Sequence, residues 1–181
     1  MEIRALGHNC FRLRGKEAIV LLGSPAKRVE ADIVIADEGL DQSKVKAKNR
    51  PEVFLLPGPG EYEINGVEIR SRSRGLWLLE MEKIKIAYWA KIEQMPAEKE
   101  LESLGPVDLL VPVLSNERLG AKKAFTLIGK ISPLIVVLAQ PRAKNLLDLL
   151  DQEDLLAEDK LFVKASDLPE ETKIVVLKVK Q

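Results

Sequence analysis

Pro59-Gly60-Glu61-Tyr62-Glu63-Ile64-Asn65-Gly66-Val67-Glu68-Ile69-Arg70 reads as two strands joined by a two-residue turn. Asn-Gly accepts the positive φ that a type I′ turn needs at both central positions, and apolar residues alternate with polar ones on either side. The same period-two reading extends outward. Before the hairpin it gives strands at Ile3–Leu6, Cys10–Leu13, Ala18–Leu22, Ile33–Ala36 and Val53–Leu56; after it, at Leu76–Glu80 and Lys85–Trp89. Gly15-Lys16, Gly23-Ser24-Pro25 and Pro57-Gly58-Pro59-Gly60 mark the reversals between them. Beyond about residue 95 the period becomes helical, in Ala97–Leu104, Gly120–Ile131 and Lys144–Leu150. Strands at Leu109–Pro112, Leu134–Leu138, Leu161–Lys164 and Ile174–Val179 follow these helices, and Leu134–Leu138 is apolar enough to be buried on both faces. Strands first and alternating helices and strands afterwards predict two sheets covered by helices. Asp37–Pro51 is polar and lysine-rich, which suits a surface loop or short helix.

The chain has 181 residues, 46% hydrophobic and 31% charged, enough for one compact domain over 1–181 with a sizeable core. Lys+Arg and Asp+Glu balance at 28 each, so no global field draws nucleic acid or an anionic membrane. Glu2 and Arg4 interrupt the start, where a secretory signal would be apolar, and no run reaches the ~20 apolar residues of a membrane span. One cysteine, Cys10, excludes an internal disulfide. A cytoplasmic protein with no membrane partner is the expectation.

Leu6-Gly7-His8-Asn9-Cys10-Phe11-Arg12-Leu13 resembles the opening strand and turn of a bacterial branch of the metallo-β-lactamase superfamily, whose members commonly begin LGHSCFRL. Other pieces follow in the same order. Ala31-Asp32-Ile33-Val34 is similar to the strand before that family's metal loop, and Pro59–Val67 is similar to its PGEYE-x-x-G-V hairpin. Val107–Val113 and the pieces Ile131-Ser132-Pro133 and Ile135-Val136-Val137 resemble later strands of the family. The resemblance implies an α/β (α+β) fold, an αββα four-layer sandwich of metallo-β-lactamase type with two mixed sheets flanked by helices.

It also implies a site that has changed. The family holds zinc or manganese with an HxHxDH loop, a later histidine, a bridging aspartate and a final histidine. Here the expected loop reads Ile35-Ala36-Asp37-Glu38-Gly39-Leu40-Asp41-Gln42-Ser43, the bridging position falls at Ala90-Lys91, and the final histidine falls at Gln140. The region of the later histidine is basic, Ile69-Arg70-Ser71-Arg72-Ser73-Arg74-Gly75. Composition points the same way without any alignment: one His and one Cys cannot build an imidazole-rich or thiolate-rich transition-metal site. No catalytic residue is therefore assigned. Asp37, Glu38, Asp41, Lys91, Gln140 and His8 are the candidates for a vestigial pocket, and no cofactor is expected. Asp37, Glu38 and Asp41 could offer oxygen ligands to Mg²⁺ or Ca²⁺, although a solvated acidic loop explains them more simply. Lys91 at the bridging position would put a fixed positive charge where the family has metal, paired with Asp37 or Glu38.

The remaining chemistry-bearing residues have plain structural readings. His8 and Cys10 would face the same way on a strand as a thiolate-imidazole pair, but they supply no orienting carboxylate, and a small buried thiol suffices for Cys10. Glu61 and Glu63 share a face if extended, with structural hydrogen bonding favoured over acid/base work. Gly58 and Gly60 lack the following GK[ST] of a phosphate loop. Arg70, Arg72 and Arg74 would line one face of a strand, either to hold phosphates of single-stranded nucleic acid or, the favoured reading, as charge that protects an exposed strand from edge pairing. Aromatic residues make up only 4% of the chain, which argues against a base-stacking surface, and Trp77 and Trp89 read as core.

Three functions compete. A non-catalytic protein of metallo-hydrolase fold, with a binding, assembly or regulatory role, needs the fewest assumptions. An atypical hydrolase with an oxygen-ligand metal or none would need Asp37, Glu38, Asp41, Lys91 and Gln140 to converge on a pocket. A nucleic-acid module would use the Arg70–Arg74 strand. The balance is against an enzyme, and the edge strand Ile174–Val179 offers a route to a homo-oligomer.

Overall fold

The computed structural model describes residues 1–7, 9–36, 40–73, 75–90, 95–114, 118–152 and 155–179, without the side chains of residues 72, 73, 118 and 119. Two mixed sheets stack face to face. The first contains β1 (Glu2–Gly7), β2 (Cys10–Arg14), β3 (Ile19–Leu22), β5 (Ile33–Ile35), β7 (Phe54–Leu55) and β14 (Leu161–Phe162), in the order β14-β1-β2-β3-β5-β7. The second contains β8 (Gly60–Ile64), β9 (Val67–Ser73), β10 (Leu76–Met81), β11 (Ile84–Trp89), β12 (Leu109–Pro112), β13 (Ile135–Ala139) and β15 (Lys173–Leu177), in the order β15-β13-β12-β11-β10-β9-β8. Against the outer face of the first sheet the chain forms a small parallel pair, β4 (Val29–Glu30) with β6 (Val45–Lys46).

Strand alternation decides which side chain enters which layer. On β12 and β13, Leu109, Val111, Ile135 and Val137 face the space between the sheets, while Leu110, Val136 and Leu138 face the helices. All are buried, which is why these strands are apolar throughout. From the first sheet Ile3, Phe11, Leu13, Val20, Leu22, Ile33 and Ile35 complete the central layer. Over the second sheet lie α1 (Glu98–Glu102), α2 (Arg118–Ile131) and α3 (Lys144–Leu149). Helix α2 buries Ala121, Ala124, Leu127 and Ile128, an i, i+3, i+6, i+7 stripe, and ends at Ser132, whose φ of +50° closes the last turn before Pro133. The architecture is the expected αββα type. Its layer over the first sheet is thin: among the described residues no α-helix covers Cys10, Ile19, Leu21 and Val34, and Leu40, Val45, Val53 and the β4–β6 pair do so instead. The predicted short helix in Asp37–Pro51 is a single 3-10 turn, Gln42–Lys44.

Two turns show what sequence signals carry. Asn65 and Gly66 have φ of +49° and +70° and join β8 to β9 as a type I′ turn, as expected. Glu82 and Lys83 adopt the same positive φ between β10 and β11 with no Asn or Gly to announce it; there the Glu82 carboxylate accepts the Lys16 N–H at 2.7 Å. The arginine strand departs from expectation. β9 is not an exposed edge, since β8 and β10 flank it, so its charges do not serve to block edge pairing. Arg70 is exposed and paired with Glu68 at 3.0 Å; the Arg72 side chain and Arg74 lie outside the described residues. Trp77 and Trp89 are core residues, 6% and 1% exposed. β15 does lie at a sheet edge, but Glu158 already pairs with its last residues through Glu158 N–H to Val176 and Lys178 N–H to Glu158.

Asp32 ties the first sheet to its cover. It is fully buried, and its carboxylate accepts the backbone N–H groups of Ile19 at 2.9 Å, Lys48 at 3.0 Å and Asn49 at 2.6 Å, plus the Asn49 side-chain amide at 2.8 Å. Burial works to raise its pKa, but the bonds from Asn49, Ile19 and Lys48 outweigh it and hold the pKa below the ordinary 3.8. A depressed carboxylate stabilises the fold above its unfolded pKa, and that contribution is lost as pH falls through the folded value, here below pH 4. Asp32→Asn turns one acceptor into a donor facing donors. It is expected to lower unfolding free energy at neutral pH by roughly 2–4 kcal/mol in urea titrations, with the gap to the unsubstituted chain narrowing in acid.

Candidate functional site

At one end of the sandwich the two sheets leave a cavity of about 980 Å³. The β1–β2 turn contributes Gly7 and Asn9, the segment after β3 contributes Gly23 to Arg28, and the ends of β11 and β12 contribute Ala90 and Val113. Parallel strands β11, β12 and β13 all end here, which makes it the natural place for a ligand in such a sheet.

Gly23 shapes one wall. Its φ is +86°, and a Cβ there would overlap the carbonyl group of Asn9. The β1–β2 turn can rest on the end of β3 only because Gly23 has no side chain. Arg142, just past β13, forms the opposite wall and bridges the mouth. It donates from Nη1 to the Asn9 side-chain carbonyl at 2.7 Å and to the Leu114 carbonyl at 3.2 Å, joining the turn of one sheet to the loop after β12 of the other.

The candidate residues from sequence are not brought together among the described residues. Asp41 is exposed and lies outside the cavity lining. Its carboxylate starts the 3-10 turn, accepting the Ser43 hydroxyl at 2.6 Å and the Ser43 N–H at 3.1 Å, with Lys44 at 3.8 Å. Its pKa is lowered, first by the Ser43 hydroxyl. This carboxylate serves a local turn. Gln140 is exposed, is not part of the lining, and donates its backbone N–H to Leu177 at 3.0 Å. Ala90, beside Lys91, lines the cavity. His8, Asp37, Glu38 and Lys91 lie outside the described residues. Glu61 and Glu63 do share the exposed face of β8, opposite Arg70 and Glu68 of β9, and no ion pair joins either carboxylate to another described residue. Gly58 acts as a turn residue, its carbonyl accepting the Tyr62 hydroxyl at 2.7 Å.

Cys10 lines the cavity wall but is 2% exposed and packs with Ile19, Leu21, Ala31 and Val34. Burial pushes its pKa up to about 12, so the thiol form is favoured at neutral pH and the thiolate that a nucleophile needs is scarce. The donor set therefore does not fit zinc. Among the described residues no three His, Cys, Asp or Glu side chains gather as a metal site, and the whole chain holds one imidazole and one thiol. The feature that sequence reading missed is Arg142, two residues past Gln140. Its signal was a lone charge following a buried strand, and nothing local distinguishes that from a solvated arginine.

The model of the beta-lactamase superfamily domain matches residues 2–140. The crystal structure of a candidate zinc-dependent hydrolase of the metallo-β-lactamase superfamily from Thermotoga maritima is similar over 99% of this chain and 100% of its own, with 22% identity and a TM-score of 0.76. A candidate metal-dependent hydrolase from Parabacteroides distasonis is similar over 97% of this chain and 92% of its own, with 14% identity and a TM-score of 0.59. No curated protein matches the sequence. At these identities the two structures share the fold.

Two outcomes are expected from this geometry. In the folded protein Cys10 reacts with a thiol reagent such as DTNB at pH 8 at least about a hundred times more slowly than in urea-unfolded protein, because thiolate and access are both lacking. Gly23→Ala combines a left-handed backbone with a clash against Asn9. It lowers unfolding free energy by about 2 kcal/mol or more, measured by the urea midpoint.

Proposed function

The chain belongs to the beta-lactamase superfamily, and from that premise we propose that it is a non-catalytic, metal-free member that uses the cavity at the end of the sandwich to bind a ligand in a regulatory or assembly role. The observation that carries this reading is the chemistry of the cavity's donors. The one cysteine is a buried thiol, the chain has a single histidine, and the cavity is lined by the cationic side chains of Arg12, Lys27, Arg28 and Arg142. Zinc and manganese bind deprotonated thiolates, neutral imidazoles and carboxylates, and arginine and lysine repel them. The cavity volume lies in the range of sites for small organic molecules.

Elemental mass spectrometry of protein purified without chelator tests the metal-free half of the proposal. Below about a tenth of an equivalent each of zinc, manganese, iron, magnesium and calcium is the expected result. A near-stoichiometric metal that is lost on Glu38→Gln or Asp41→Asn would overturn it and return the chain to the hydrolases.

A further inference from the structure

Among the described residues the charges around the cavity do not balance: Arg12, Lys27, Arg28 and Arg142 line it, against one carboxylate, Glu30. Glu30 is committed elsewhere: it holds Lys48 at 2.7 Å. Arg12 has Glu2 only at 3.8 Å, and the same Glu2 carboxylate is bonded to Arg4 at 2.8 Å and approached by Lys160 at 3.7 Å. Lys27, Arg28 and Arg142 have no ion-pair partner among the described residues.

Arg142 is the strongest part of this imbalance. It is half-buried, and both its hydrogen bonds go to neutral acceptors, the Asn9 side chain and the Leu114 carbonyl. Its Nε and that of Arg12 are buried with no acceptor among the described residues. A half-buried arginine held in a fixed orientation by neutral groups, with no counter-charge among the described residues, favours an anionic partner. An anion in the cavity supplies it, and a guanidinium fork is suited to carboxylate or phosphate oxygens. Leu6, Pro25, Tyr88, Val113 and Val179 supply apolar wall beside them.

We infer that the cavity binds a small organic anion, its carboxylate or phosphate group held by Arg142 and Arg12 with Lys27 and Arg28 at the rim, and its apolar body against Leu6, Tyr88 and Val113. This rests on the reading of the cavity as a metal-free ligand site and names the class of ligand it takes.

The test uses the full chain and three ring compounds of similar size: phenyl phosphate, benzoate and the neutral benzyl alcohol, titrated calorimetrically in metal-free buffer. Phenyl phosphate and benzoate are expected to bind with one-to-one stoichiometry, the doubly charged phosphate tighter, and benzyl alcohol at least about ten-fold more weakly than either. Arg142→Gln is expected to weaken phenyl phosphate by about ten-fold or more. Because Arg142 also braces Asn9, Lys27→Gln on the exposed rim serves as a second variant that leaves the fold intact, and it should weaken the phosphate by about three-fold with a steeper effect at low salt. Equal affinity for all three compounds, or phenyl phosphate binding unchanged by both substitutions, overturns the inference. Elemental analysis of the same samples separates the two claims. Protein free of metal that ignores the anions sinks this inference alone, whereas anion binding that requires an added divalent metal sinks the metal-free reading with it.

Discussion

Phe11, Leu13, Val20 and Ile33 of the first sheet face Ile86, Leu109, Val111 and Ile135 of the second across one apolar layer, and everything else is arranged to keep that layer dry. Stacked sheets are held by burial of facing side chains, a non-directional force roughly proportional to area. Such a layer fixes which face of every strand turns inward, and therefore which residues remain for the outer faces and for the open ends. On the second sheet the outward set is again apolar and is covered by α2 and α3. On the first sheet it is smaller, and the β4–β6 pair, latched to β3 and β5 through the Asp32 carboxylate, is enough to cover it.

A sandwich closed by side chains along its length is open where its strands stop. The parallel strands β11, β12 and β13 end together, and the loops that leave them meet the β1–β2 turn. In metallo-hydrolases of this fold such a mouth suits a metal centre, because loops can deliver several ligands to one point. Here the same loops deliver arginine and lysine, a buried thiol and the small residues Gly23 and Ala90. The mouth is spanned by Arg142, which reaches from one sheet to Asn9 of the other. A fixed guanidinium can perform one task of a metal ion, the attraction of an anionic group, while lacking the open coordination position that activates water. On the proposed reading, that difference is what would allow recognition without hydrolysis.

How much of this was legible depended on how local each signal was. The Asn65-Gly66 turn was readable because its residues carry the required φ themselves; Glu82-Lys83 was not, because tertiary contacts hold that turn. Asp32 read as one residue of a familiar strand, and only the approach of Lys48 and Asn49 shows that it is a buried latch. The charged strand at Arg70 looked like an edge because sequence gives the face of a residue but not which strands lie beside it.

By itself, then, the sequence determined the fold, through periodicities and turn residues that act over a few positions, and it determined that imidazole and thiolate are too scarce for the metal centre of its relatives, since composition does not depend on folding. Tertiary structure alone decided where charge is left unbalanced. Arg12, Lys27, Arg28 and Arg142 are spread over 130 positions of the chain, and their shared cavity exists only after two sheets have stacked and their loops have met at one end.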